Sequence, residues 1–65
     1  MMITGFKRDA NFGEAAKSMS KFGDMKISEA NNLLRHLKVS AKPISIKDDF
    51  VLREDLEYHN FTVAY

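Results

Sequence analysis

The sequence predicts an α+β domain, a two-layer sandwich in which a three-stranded antiparallel sheet carries three helices on one face in the order β-α-α-β-α-β. The run from Ile27 to Leu37 has apolar residues at positions 27, 30, 33, 34 and 37, which form one stripe of an α-helix. Residues 44–47 and 61–65 alternate apolar and polar side chains, as strands with one buried face do. Three strands are too few to be covered on both faces, so we expect the helices to share one side.

The length and composition predict one globular domain over residues 1–65. The chain is 45% hydrophobic and 29% charged, which is ordinary for a folded protein. A chain this short buries only about 60% of its unfolded surface, so we expect no deep cavity. It contains no cysteine, and its N-terminus lacks the apolar stretch of a signal peptide or a membrane span. We therefore expect a cytoplasmic protein that makes no membrane contact.

Charge is distributed unevenly along the chain. Residues 1–42 carry eight basic and four acidic side chains, a balance of +4, whereas residues 43–65 carry two basic and five acidic ones, a balance of −3. The total is only +1, too small to indicate nucleic acid or a membrane by itself. The asymmetry predicts a dipolar molecule, and ordinary solvated faces explain it better than a recognition patch does.

The first half of the chain predicts a strand over residues 1–6 and two helices joined by a tight turn. Asn11 is a suitable N-cap, and Glu14 three residues later completes a capping box. Gly23 is expected to end helix one, and the turn 23–26 leads into helix two, from about Ile27 to Lys38. The predicted apolar stripe of helix one is Phe12, Ala15, Ala16, Met19 and Phe22.

Pro43 marks the exit into the second strand, residues 44–47. Asp48 and Asp49 can cap a third helix over about residues 50–59, and Asn60 is a suitable left-handed stop before a closing strand over residues 61–65. The residues of helix three expected to face inward are Val51, Leu52 and Leu56, with Tyr58 or His59.

Four segments of the chain together suggest a family. They are Ile3-Thr4 in the first strand, residues 25–34 at the start of helix two, Pro43, and the closing Phe61-Thr62-Val63. In this order they resemble the C-terminal domain of the bacterial ribosomal stalk protein, which shows a strand ending in Leu-Thr, a Gly-Leu-Gly-Leu turn, a Glu-Ala-Lys-x-Leu-Val helix, a proline and a final Val-rich strand. The family's turn corresponds to residues 24–27 here, without its two glycines.

The resemblance implies a binding face on the first two helices. In the family this face is basic and apolar and contacts translational GTPases. The matching positions here are Lys17 on helix one with Met25 and Ile27 at the turn, and the family's following arginine corresponds to Ser20 or Lys21. From the resemblance and the charge pattern we take Lys17, Lys21, Met25, Lys26 and Ile27 as the candidate partner-binding residues.

The sequence offers no catalytic, cofactor-binding or metal-binding signature. His36 and His59 have neither cysteines nor carboxylates at ligand spacing. The serines lie outside any nucleophile-elbow pattern, and single glycines make no phosphate-binding loop. Asp48 and Asp49 are better explained as helix caps than as paired catalytic carboxylates. We expect no enzyme and no cofactor.

Nucleic-acid binding is the alternative function. Helix one, the turn and helix two can be interpreted as a helix-turn-helix regulator that exposes Asn31, Asn32, Arg35 and His36 on its second helix. Asparagine and arginine read adenine and guanine edges. The low net charge and Glu29 on the same helix weaken this interpretation.

A protein-protein interaction module is the function that the sequence favours. We expect an adaptor or inhibitor of a larger cellular machine, of the kind that bacteriophages encode, with a partner that has an acidic surface. The uncovered face of the sheet, with Thr4, Ser45, Thr62 and Ala64 and also Met2 and Phe6, and its strand edges offer a second surface, which makes a homodimer a further alternative.

Overall fold

The computed structural model describes residues 1–64 and confirms the predicted α+β architecture. Its sheet is three-stranded and antiparallel, and the helices pack on it in the predicted order. Helix α1 contacts both α2 and α3, and α3 also contacts β3, so α1 lies in the middle of the helical layer. The elements are β1 (Met2–Phe6), α1 (Phe12–Phe22), α2 (Ile27–Ser40), β2 (Ile44–Ser45), α3 (Phe50–Tyr58) and β3 (Phe61–Ala64).

The sheet has the strand order β2-β1-β3, so the first strand is central. Met2 pairs with Ser45 on one side and with Ala64 on the other. Strand β2 is shorter than the predicted 44–47, but the Ile46 N–H donates to the Met1 carbonyl at 2.9 Å and extends the ladder by one pair. The end of the predicted closing strand, Tyr65, lies outside the described residues.

Strand β1 contains an irregularity at Thr4. Ile3 pairs with Val63 and Gly5 with Thr62, so Thr4 is an extra residue opposite β3. The irregularity shifts the alternation of β1, and the Phe6 ring lies 5.0 Å from the Phe12 ring of α1. The expectation that Phe6 belongs to the uncovered face is therefore wrong.

Helix α1 begins as predicted, with half of the expected capping box. The Asn11 side chain accepts a hydrogen bond from the Glu14 N–H at 3.1 Å. The reciprocal bond is replaced, because the Asn11 N–H donates to the His59 carbonyl at 3.2 Å. This bond ties the start of α1 to the end of α3.

The ends of the helices depend on three left-handed residues. Asp24, Ala41 and Asn60 have φ values of 55°, 56° and 70°, and Asn60 confirms the predicted stop after α3. Gly23 is not left-handed, with φ −101°. Helix α2 continues two residues past Lys38, to Ser40, and Ala41 closes it.

The core lies between the sheet and the helices, and most predicted core positions are buried. Two predictions are wrong, because Ile27 is 45% exposed and Val51 49%. Of the alternatives Tyr58 and His59, Tyr58 is 81% exposed and His59 is the half-buried one. Ile27 is the first residue of α2, so the buried part of its stripe begins one turn later. The buried side of α3 is centred between Leu52 and Leu56, which turns Val51 and Tyr58 outward. The buried apolar residues are Ile3, Ala15, Ala16, Met19, Ala30, Leu34, Leu37, Ile44, Ile46, Leu52, Leu56 and Phe61.

Candidate functional site

A groove between α1 and α3 is lined by residues from both helices. It has a volume of about 350 Å³, at the low end of the range for ligand sites, and is open to solvent. Its size suits a few side chains of a partner better than an enclosed small molecule. The lining residues are Glu14, Lys17, Ser18, Lys21 and Phe22 of α1, Asp55 of α3, and His59, which directly follows α3.

Ser18 and Asp55 link the two walls of the groove. The Ser18 hydroxyl donates a hydrogen bond of 3.2 Å to Asp55 Oδ2, and the Ser18 side chain is buried. A catalytic serine would instead donate to an imidazole that can accept its proton. The bond therefore fixes α1 against α3 and satisfies part of the Asp55 carboxylate.

The α1 wall of the groove is cationic. The Lys17 ammonium lies 3.5 Å from Glu14 Oε1, and both side chains are well exposed. The Lys21 ammonium lies 5.2 Å from the centre of the Phe22 ring. Within residues 1–64, Lys21 makes no ion pair with a carboxylate, so its charge is available to an anionic group.

The structure divides the predicted partner-binding residues into two places. Lys17 and Lys21 line the groove, whereas Met25, Lys26 and Ile27 lie in and after the α1–α2 turn and do not. Met25 is partly buried against the core, and the other two are exposed. The turn residues form a separate surface at the end of the helical layer.

An ion pair holds the α1–α2 turn against the segment before α3. Lys47 Nζ lies 3.0 Å from Asp24 Oδ2. The hydrogen bond to Asp24, together with the negative charge of that carboxylate, raises the pKa of Lys47 above its ordinary 10.5. The pair is exposed, so it positions the turn more than it stabilises the fold.

The residues predicted to bind nucleic acid lie on the exposed side of α2. Asn32, Arg35 and His36 line a shallow depression with Val39 and Ser40, and Asn31 is exposed outside it. All five lining residues belong to α2, so no second element builds a wall. Arg35 Nη2 also donates to Asn32 Oδ1 at 3.2 Å. The groups that would read base edges therefore bind each other.

Sequence reasoning missed five residues of the groove: Glu14, Ser18, Phe22, Asp55 and His59. The first three are spaced i, i+4, i+8 along α1, and the last two are spaced i, i+4 at the end of α3, which places each set on one helical face. That spacing could have indicated two candidate faces. It could not show that the faces meet, because their contact depends on how α1 and α3 pack.

Within residues 1–64, no group of three potential ligands is placed to hold a metal ion. Over the same part of the chain, no helix has the length and apolar character needed to cross a membrane. Comparisons with protein-family models, with curated proteins and with solved structures found no match to this chain. The resemblance to the ribosomal stalk domain stays a prediction.

Proposed function

We propose that this protein is a small protein-binding module, an adaptor or inhibitor, that binds an acidic segment of a partner protein in the groove between α1 and α3. The observation that carries the proposal is the Lys21 ammonium, which lies at an open groove and makes no ion pair with the described residues. A carboxylate of the partner can bind Lys21 without displacing a carboxylate of this chain.

Two other features of the groove support the same partner. Phe22 is half-buried and provides an apolar wall beside Lys21. The Asp55 carboxylate accepts the Ser18 hydroxyl, so its Oδ2 is directed at α1 rather than at an incoming anion. A partner segment can bind both residues if it has an apolar side chain one or two positions from its acidic residue. The acidic residue then contacts Lys21 and the apolar side chain contacts Phe22.

The test is capture of partners from bacterial lysate by crosslinking, with a photoreactive residue placed at Glu14, which lines the groove. The wild-type chain is compared with Lys21→Glu and with Lys42→Glu, which makes the same charge change at an exposed position outside the groove. We expect one dominant protein that survives nuclease and is lost from Lys21→Glu but retained by Lys42→Glu.

Two results would contradict the proposal. Equal capture by Lys21→Glu and the wild type would show that the groove is not the binding surface. Capture that disappears with nuclease and with Arg35→Glu would favour the nucleic-acid interpretation of the exposed side of α2, since phosphate binding depends on such cations.

A further inference from the structure

We infer that two copies of this protein pair through the outer edge of β3, which joins their sheets into one six-stranded antiparallel sheet around a twofold axis at Thr62. This goes beyond the proposed function, because the β3 edge and the α1–α3 groove are different surfaces. The inference rests on the two sheet edges, the direction of the β3 backbone groups and the charges beside them.

The two edges of the sheet differ in how they are protected. Strand β2 has only two residues, follows Pro43 directly and is flanked by Lys42 and Lys47. A short strand with proline and lysine beside it resists further pairing. Strand β3 has four residues, Phe61–Ala64, none of them charged or proline. The β3 edge is therefore the one suited to accept another strand.

The hydrogen bonds of β3 show which backbone groups point outward. The Asn60 carbonyl accepts from the Lys7 N–H at 2.8 Å, and the Thr62 carbonyl accepts from the Thr4 hydroxyl at 3.3 Å. Both carbonyls thus face β1. Backbone groups alternate in direction along a strand, so the N–H and C=O of Phe61 and Val63 point to the outer edge.

A twofold axis at Thr62 lets all of these outward backbone groups form hydrogen bonds with the second copy. It places Phe61 of each copy opposite Val63 of the other, and each such pair exchanges two backbone hydrogen bonds. Phe61 and Val63 then stay on the side covered by helices in both copies, and Thr62 stays on the uncovered side. The pairing keeps the buried and exposed faces of the two sheets continuous.

The flank of α3 explains why a second copy fits better than an unrelated strand. Asp55 faces α1, and the helical period places Phe50, Arg53 and Glu57 on the opposite flank of α3, the helix that contacts β3. Arg53 Nε now lies 3.6 Å from Glu57 Oε1 of its own chain. Antiparallel α3 helices would bring each Arg53 near the partner copy's Glu57, and they would cover Phe50, which is 63% exposed.

Sedimentation velocity from about 10 µM to about 1 mM tests the inference, because a small interface gives weak, concentration-dependent association. Thr62→Lys places two like charges opposite each other at the axis, and we expect it to weaken association several-fold. Ser45→Lys adds the same charge on the same sheet face at the other edge, and we expect it to associate like the wild type.

Amide hydrogen exchange of the wild type gives a readout that needs no variant. The Val63 N–H should exchange more slowly as concentration rises, while the Thr62 N–H should not change with concentration. A chain that stays monomeric at the highest concentration would overturn the inference. So would a dimer that Thr62→Lys leaves intact, or a Val63 N–H whose exchange is independent of concentration.

Discussion

Ser18 Oγ donates a hydrogen bond of 3.2 Å to Asp55 Oδ2, across 37 residues of chain, and so joins α1 to α3 at the candidate groove. Because Ser18 is buried, its removal leaves the half-buried carboxylate without a protein donor. We predict that Ser18→Ala lowers the free energy of unfolding by about 1 kcal/mol, measured by urea denaturation.

Ser20→Ala is the matched control for Ser18→Ala. It makes the same chemical change two residues later in α1, where the serine hydroxyl has no hydrogen-bond partner among the described residues. Alanine has the higher helix propensity, so we expect Ser20→Ala to be neutral or to stabilise by about 0.4 kcal/mol. Equal effects of the two substitutions would show that the Ser18–Asp55 bond contributes nothing.

Gly23 is required by close packing at the end of α1. A Cβ at this position would lie 2.5 Å from the Met19 carbonyl oxygen and 3.4 Å from a methyl of Leu52. The carbonyl is backbone and cannot move aside freely. We predict that Gly23→Ala lowers the free energy of unfolding by about 1–3 kcal/mol, measured by thermal or urea unfolding.

Gly13→Ala separates this steric effect from the general effect of a Gly-to-Ala change. Gly13 is also near one end of α1, but the nearest atom to its Cβ would be Asn11 Oδ1 at 3.6 Å, an ordinary contact. We expect Gly13→Ala to stabilise the protein by about 0.5 kcal/mol, because alanine restricts the unfolded chain. Destabilisation by both substitutions to the same extent would contradict the steric explanation.

Features set by neighbours in the chain were predictable from sequence. Asn11 is followed by Glu14 at capping distance, and its side chain caps α1. Asp49 caps α3 by accepting from the Leu52 N–H at 2.9 Å, and Asn60 adopts the left-handed conformation that ends α3. Each of these outcomes depends on the backbone within about four residues, which the sequence pattern represents directly.

Features set by distant residues were not predictable in the same way. The strict alternation of β1 placed Phe6 on the uncovered face, but the extra residue at Thr4 turned its ring toward Phe12. Such an irregularity depends on the register between β1 and β3, two strands from opposite ends of the chain. The groove also depends on distant residues. Its walls belong to α1 and α3, which are separated in the sequence by α2 and β2.

Ala41 is a position at which the natural residue costs stability. It closes α2 with φ 56°, a conformation in which the Cβ of a non-glycine residue is crowded. We predict that Ala41→Gly raises the free energy of unfolding by about 0.5–1 kcal/mol, after the greater freedom of glycine in the unfolded chain is subtracted. Ala64→Gly, at an exposed strand position, should destabilise the protein. A destabilised Ala41→Gly variant would show that Ala41 is not strained.

The Lys47–Asp24 pair predicts a stability that depends on alkaline pH. Asp24 raises the pKa of Lys47 above 10.5, so the folded state holds this proton more tightly than the unfolded state. The contribution of the pair is therefore complete below 10.5 and disappears as the pH rises through the raised pKa. We expect thermal unfolding from about pH 9 to about pH 12 to show a steeper loss of stability in the wild type than in Asp24→Asn.

Asparagine is the suitable replacement for Asp24, because it tolerates the left-handed φ of 55° and removes only the charge. The two proteins differ only at residue 24, so the difference between the two pH profiles reports the pair. The difference should shrink at high salt, since both partners are well exposed. Parallel profiles at low salt would mean that Asp24 does not hold the Lys47 ammonium in solution, and that the turn bearing Met25 and Lys26 is positioned by packing instead.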